Sequence, residues 1–475
     1  MLHLKYKHSS SKKNSNNSKI IVKDGGIEIP KYKIPAKPMS AGSAYQIVHD
    51  ECMLDGNARL NLATFVTTHM EPEAQKLMAE TMDKNMIDKS EYPQTAEIEK
   101  RCVNIIADLW NSHSENDSIG CSTIGSSEAC MLGGIALKWR WREKHKLPVN
   151  TNRIPNLVLS SGLQVVWEKF CKYWDVEMRE VPMEEGNYKL DVDKALEMCD
   201  ENTIGIVPIL GITYTGQYDD VKQLNDKLDV FNKKTGFDIP IHVDAASGGF
   251  VAPFIQPKLE WDFRLKWVHS ISASGHKYGL VYPGVGWVVW KNEKYLPEDL
   301  VFYVDYLGGQ MPTMAINFSR PGNQVLAQYY QFLRLGFDGY RQVQQYSQDV
   351  AKYLSSKISE IDEFKLVTDG SDIPVFCWTL KEMQKNWTLY DLADRLLMNG
   401  WQVPAYAMPE NVTDMVVQRI VVKKDMSFDM ADMLLGNIIE HLEYLRSLSE
   451  PTPSAIEAHK PRDENSKVQE ERFHH

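Results

Sequence analysis

The chain has 475 residues, 43% of them hydrophobic, and a formal net charge of −11. That length exceeds one ordinary domain and implies two packed units with a sizeable core, while the acidic balance argues against a nucleic-acid surface. No apolar window reaches the length of a membrane span, the first residues lack the apolar stretch of a secretory signal, and seven cysteines without a C-x-x-C pair fit free thiols in a reducing cytoplasm better than disulfides or zinc.

Residues 1 to about 25 are basic and polar, with lysines from Lys5 to Lys23. They cannot bury a core and read as the disordered start of an N-terminal arm and segment covering 1–60. A membrane-surface or partner-binding role for that arm stays open. Helical periodicity runs from Ala44 to about Asn61, and Asn61-Leu-Ala-Thr-Phe65 follows as a short extended piece. A helix is expected from Glu71 to Asn85, with Ala74, Leu77, Met78 and Met82 on one face. Asn85 to Pro93 reads as a loop, and Thr95 to Trp110 as an amphipathic helix burying Ile98, Val103, Ile106 and Leu109.

Ser122-Thr-Ile-Gly-Ser-Ser-Glu128 then leads into a helix reaching Trp141. Gly125 permits a turn, and Ser126 or Ser127 can cap the helix. From the residues alone, a plain N-cap competes there with a phosphate site. Strands are expected at Leu157–Ser161, Ile204–Leu210, Ile239–Val243, Trp267–Ser272 and Gly284–Trp290. Helical stretches around Gln164–Tyr173 and Asp220–Lys233 alternate with them, which gives an α/β fold with a mostly parallel sheet. This large domain spans 61–345. A long helix around Gly336–Ala351 leads into a smaller α+β domain, 346–450, with a helix at Thr388–Leu397, strands at Trp401–Tyr406 and Met415–Val422, and a last helix near Asp429–Leu448 with Leu435, Ile438, Leu442 and Leu445 on its buried face. The charged, proline-containing stretch 451–475 reads as a flexible tail. No repeat and no metal-ligand spacing is present.

Two strands deliver one ionisable residue each from their C-terminal ends. Asp244 closes the run Asp238-Ile-Pro-Ile-His-Val243, and Lys277 follows Trp267-Val-His-Ser-Ile-Ser272 within Ser272-Ala-Ser-Gly-His-Lys-Tyr-Gly279. That edge is where open α/β sheets bind ligands. Either residue alone is more often a capping or solvated group. Together a lysine and an aspartate there fit pyridoxal phosphate, with the lysine as Schiff-base amine and the aspartate paired to the pyridinium nitrogen. The small residues after Asp244 let a flat group approach the backbone.

These segments resemble the cofactor core of the group II pyridoxal-phosphate-dependent amino-acid decarboxylases, and the likeness covers about Ala44 to Leu448. It implies the fold type I architecture: a seven-stranded-type, mostly parallel large domain with a smaller C-terminal α+β domain. It also implies Lys277 as the catalytic amine and Ser126, Ser127 and Ser274 as phosphate donors, with His276 beside the cofactor. Gln164 would lie over the ring, Ala246 beneath it, and Thr213 against its substituents. Where more distant relatives place an aromatic residue over the ring, this chain has Gln164, as in the glutamate-specific branch. The resemblance therefore implies decarboxylation of L-glutamate to 4-aminobutanoate with uptake of a proton, which would suit resistance to acid. Arg419 would clamp the carboxylate to be lost, and Thr64, Phe65, Asn85 and Asp88 would meet the distal one. A protonated Asp88 could donate to that group.

Members of the family form homodimers or hexamers, and Ser319 would reach the partner's phosphate. Bacterial members active in acid close their site with a terminal histidine, and His474 in Phe473-His-His475 would take that part. Aspartate or cysteine sulfinate is the competing substrate class, and a calmodulin-responsive or catalytically silent binding protein the competing kind of function. A tail without tryptophan or a basic amphipathic helix weighs against calmodulin, and the presence of both Lys277 and Asp244 against a silent protein.

Overall fold

The structure, a computed structural model, describes residues 29–112, 118–148, 151–305 and 311–459. The start of the basic arm and His474 lie outside them. The chain divides after Gly56. In the first unit, α1 (Ala41–Cys52) begins where Ser40 accepts a hydrogen bond from the Ser43 amide, and it buries no residue. It stops at Cys52, not near Asn61, because Asp55-Gly56-Asn57 favours turns over helix.

The second unit holds everything else. α2 (Pro72–Glu80) and α3 (Pro93–Leu109) each open on a proline, where the missing amide costs no helical bond. α2 ends short of Asn85, so Met82 falls outside it and is exposed instead of facing the core. Val103 and Ile106 of α3 are buried as expected.

A βα alternation follows: β1 (Ile119–Thr123), α4 (Ser126–Lys144), β2 (Asn156–Ser160), α5 (Val165–Tyr173), β3 (Glu177–Val181), α6 (Val192–Glu197), β4 (Thr203–Val207), α7 (Val221–Thr235), β5 (Ile241–Asp244), α8 (Ala252–Ile255), β6 (Val268–Ala273) and β7 (Gly286–Trp290). The seven strands form one sheet in the order β1-β7-β6-β5-β4-β2-β3. β3, β2, β4, β5 and β6 run parallel, and β7 is inserted antiparallel to both β6 and β1. Every residue of β2, β4, β5, β6 and β7 is buried, the signature of strands covered on both faces. The mostly parallel seven-stranded sheet is thus as expected.

A two-stranded ribbon, β8 (Phe302–Val304) and β9 (Met311–Thr313), precedes the long α9 (Asn323–Ser359). α9 is broken at Gly336, whose φ of 57° and ψ of −172° only glycine adopts without strain. The boundary expected at 345/346 falls inside this helix. Beyond it come β10 (Phe364–Asp369), β11 (Val375–Leu380), α10 (Leu389–Met398), β12 (Ala405–Ala407), β13 (Val416–Val421), α11 (Phe428–Arg446) and α12 (Pro453–Ala458). The strands make an antiparallel sheet, β10-β11-β13-β12. Its core joins Phe376, Trp378 and Ile420 to Leu354 of α9 and to Leu434 and Ile438 of α11. This is the smaller α+β region that the sequence implies. The stretch taken as a tail from 451 is corrected in its described part: Thr452 caps α12, and Ala455 is fully buried. No helix among the described residues is long and apolar enough to cross a membrane.

Candidate active site

Asp244 is the last residue of β5 and is 3% exposed. Its Oδ1 accepts the Ala246 amide at 3.1 Å and its Oδ2 the Trp167 indole N–H at 2.9 Å. One strand over, β6 ends at Ala273, and a tight turn carries Ser274, His276 and Lys277. The turn needs glycines at both ends: a Cβ on Gly279 would stand 2.4 Å from the Gly275 carbonyl oxygen. Thr67 pins it from outside, donating its amide to His276 O at 2.8 Å and its hydroxyl to Lys277 O at 2.7 Å.

The Lys277 ammonium donates weakly to Ser247 Oγ at 3.5 Å and lies 5.1 Å from the centre of the Phe65 ring. Burial lowers its pKa, the nearby Asp244 carboxylate opposes that, and the Arg419 guanidinium reinforces it. His276 is pushed down to about 4, by burial first and by Lys277 second. It is therefore a neutral imidazole near pH 7. Its buried Nδ1 and the buried Ser274 hydroxyl have no hydrogen-bond partner among the described residues.

The His276 ring also borders the start of α4, where a Cβ on Gly125 would meet its Cε1 at 3.0 Å. Gly125, not Ser126 or Ser127, is the N-cap of α4, and the two serines are its first helical residues. Among the described residues no side chain caps α4; Glu128 instead accepts the Ile124 amide, just before the N-cap, at 2.9 Å. The serine hydroxyls are thereby spared for another acceptor, and Ser127 is exposed. Ala246 is only partly buried between buried neighbours, and its carbonyl accepts the Ser274 amide at 3.1 Å. Gln164 caps α5 with its own side chain, Oε1 accepting the Val166 amide at 2.7 Å. Its amide nitrogen is what remains for a ligand.

Arg419, on β13, reaches across from the small sheet. Its two terminal nitrogens donate to Thr213 O and Ala63 O, and its buried Nε has no hydrogen-bond partner among the described residues. Its guanidinium stands 5.1 Å from the Phe65 ring and 5.6 Å from that of Tyr406. Thr213 thus takes part through its carbonyl. Thr64 is set by Asn61, whose Oδ1 accepts the amides of Ala63 and Thr64.

Asn85, Asp88 and Ser319 form a second group. Asn85 Nδ2 donates to Asp88 Oδ2 at 3.1 Å and to Ser319 Oγ at 3.3 Å, and Asn85 Oδ1 accepts the Arg320 amide at 3.1 Å. Their side-chain hydrogen bonds run among themselves and to Arg320, and none joins them to Lys277, Phe65 or Arg419 among the described residues.

The sequence reading missed Trp167, Thr67 and two cations. Lys423 and Lys424 line a small recess with Phe65, Lys277, Thr68 and His69. Neither ammonium has a hydrogen-bond partner among the described residues, although Lys424 stands 3.7 Å from a Glu71 oxygen. The tandem lysine after a buried β-branched strand was the available signal. A larger cavity of about 260 Å³ lies between the Thr215–Gln217 turn and Asp369–Asp372 and holds none of the residues expected in the site.

The residues present fit pyridoxal phosphate. A buried acid and an enclosed amine stand on adjacent strand ends, and a helix start with free hydroxyls and unpartnered Ser274 and His276 offer donors to a phosphate.

The comparisons agree. The family model described as the pyridoxal-dependent decarboxylase conserved domain matches residues 30–381. The chain is 56% identical over 423 residues to the glutamate decarboxylase of Lactococcus lactis subsp. lactis, covering 88% of this chain and 91% of the relative. It is 55% identical over 424 residues to glutamate decarboxylase beta of Listeria monocytogenes, with the same coverage. Among solved structures, the glutamate decarboxylase of Lactobacillus brevis matches with a TM-score of 0.85 at 53% identity, over 89% of this chain and 96% of that one.

Proposed function

The chain belongs to the pyridoxal-dependent decarboxylase family, and on that premise we propose that it converts L-glutamate and a proton to 4-aminobutanoate and carbon dioxide. The observation that carries this is the placing of Lys277, Asp244 and Arg419 around one aromatic ring and one strand edge.

Bound pyridoxal phosphate supplies an electron sink for the pair left behind when carbon dioxide departs. Lys277 would be its covalent anchor, and enclosure favours the neutral form of this amine. Asp244 gives a buried anion to hold the ring nitrogen protonated. Ser126, Ser127, Ser274 and His276 would hold the phosphate and the ring, and the exposed part of Ala246 leaves room for a flat group.

Arg419 is fixed by two main-chain carbonyls, so its free Nε–H meets a substrate carboxylate without first being ordered. Phe65 walls the space between that guanidinium and Lys277 and keeps water from the amine. Thr64, Asn85 and Asp88 are assigned to the distal carboxylate, and Ser319 to a phosphate bound by a second copy. That assignment goes with a homodimer or a hexamer, supported by the separate hydrogen bonding of the Asn85 group within one chain. Seven unpaired cysteines support a cytoplasmic location.

The deciding measurement is carbon dioxide release from glutamate, aspartate and cysteine sulfinate by the reconstituted protein across pH. Release from glutamate dominates if this reading is right; release from aspartate or cysteine sulfinate alone, or none, overturns it.

A further inference from the structure

Asp244 has a partner whose chemistry its position in the chain does not announce. Trp167 lies on the apolar face of α5 between Val166 and Phe170, and it is fully buried. Any large hydrophobe would fill that space. What only tryptophan adds is an N–H, and here it donates to Asp244 Oδ2 at 2.9 Å. Six indoles, that of Trp167 among them, donate Nε1 to a partner, whereas Trp174, Trp290 and Trp378 bury it with none among the described residues. Burial by itself therefore does not guarantee an indole a partner.

The indole is itself held in place. His242, on the same face of β5 as Asp244, packs edge-on against Trp167 with ring centres 5.4 Å apart. Its ring nitrogens reach Ser270 Oγ at 2.7 Å and Ser272 Oγ at 3.1 Å on β6, and Ser272 Oγ lies 3.2 Å from Cys130 Sγ on α4. Gly133 of α4 makes room for the imidazole, since a Cβ there would come within 2.3 Å of its Cε1. Burial pushes the histidine down to about 3, so it stays neutral and brings no competing cation to the carboxylate.

We propose that Trp167 is a positioning residue for Asp244: its N–H fixes the rotation of the carboxylate, so that the acid meets the cofactor's ring nitrogen in one orientation. Each carboxylate oxygen accepts one hydrogen bond from a protein nitrogen, from Ala246 and from Trp167, the Cys130 thiol also interacts with the carboxylate, and lone pairs remain for a further donor. This rests on the cofactor assignment above.

The test titrates apoprotein with pyridoxal phosphate, following the visible band and its pH dependence. Trp167→Phe keeps the ring and removes the donor. A hydrogen bond to a charged group then predicts a dissociation constant raised about tenfold, with the pH midpoint of the visible band displaced by about one unit. Trp167→His, which restores a ring N–H, recovers most of both. In an Asp244→Ala background, Trp167→Phe changes the constant less than about twofold, because the coupled pair is already broken. Wild-type binding by Trp167→Phe, or equal weakening in both backgrounds, overturns the proposal. Should circular dichroism show that Trp167→Phe does not fold, Trp167→Met takes its place in the same cycle. Failure of the unaltered protein to bind the cofactor would overturn the function above instead.

Discussion

The guanidinium carbon of Arg419 stands 5.1 Å from the centre of the Phe65 ring, and the same ring lies 5.1 Å from the Lys277 ammonium. One aromatic side chain therefore faces both the guanidinium and the amine across an enclosed space. A ring face is worth about 0.5–2 kcal/mol to a cation, more as water is removed. Phe65→Leu keeps the apolar wall and removes the quadrupole. Steady-state kinetics should show kcat/KM reduced about tenfold, with cofactor affinity close to that of the unaltered protein. Unchanged kinetics would mean that the ring is packing only.

Arg419→Lys tests the anchored guanidinium. Lysine keeps the charge but cannot reach two carbonyls and still present a third donor. Losing a charge-assisted contact of this kind costs about 1.5–3 kcal/mol, so kcat/KM for glutamate should fall about a hundredfold. A lysine variant within threefold of the parent would show that charge alone suffices.

Lys277→Ala removes the only proposed covalent attachment. Borohydride reduction of the reconstituted parent should fix the cofactor to residue 277, as read by peptide mass, and the variant should take up no label. Label on any other residue would reassign the amine.

Acid should weaken the fold through His242. Its folded-state pKa, about 3, lies below the ordinary histidine value. The unfolded chain therefore takes up the proton first, and the stability is present in full above about pH 6.5 and lost as the pH falls towards 3. Between pH 7 and pH 4 this amounts to about 3 kcal/mol. His276 acts in the same direction, being held at about 4. Urea unfolding of apoprotein should show a shallower acid decline in His242→Asn than in the parent. Parallel declines would remove His242 from the account.

What could be read from the chain follows the physics of burial. β5 and β6 are legible because strands covered on both faces must be apolar and β-branched, and their ends then single out Asp244 and Lys277. β1 is not legible as a strand, since Ile-Gly-Cys-Ser-Thr is short and polar and gains its place by pairing with β7. β3, at the other edge, carries Glu177, Arg179 and Glu180 and hides its pattern in solvent. α9 was expected to begin near Gly336, but that glycine is a break inside a helix already under way from Asn323. Local periodicity cannot distinguish a break from a beginning. In the site, the strand-end charges Asp244 and Lys277 are legible, whereas Lys423 and Lys424 are not singled out by any strand end they close, and Trp167 resembles core because its donor is invisible to a hydrophobic pattern. The N-cap of α4 at Gly125 is hidden by the two serines that follow it, either of which would have served.

Arg419 belongs to the antiparallel sheet, yet it grips a carbonyl of the large sheet's Thr213 loop and another in the extended segment at Ala63. The alignment of the two lobes and the capture of an anion thus form a single equilibrium. Displacing one lobe against the other strips the guanidinium of its supports, and a ligand seated there stiffens the seam by the same amount that the seam favours the ligand.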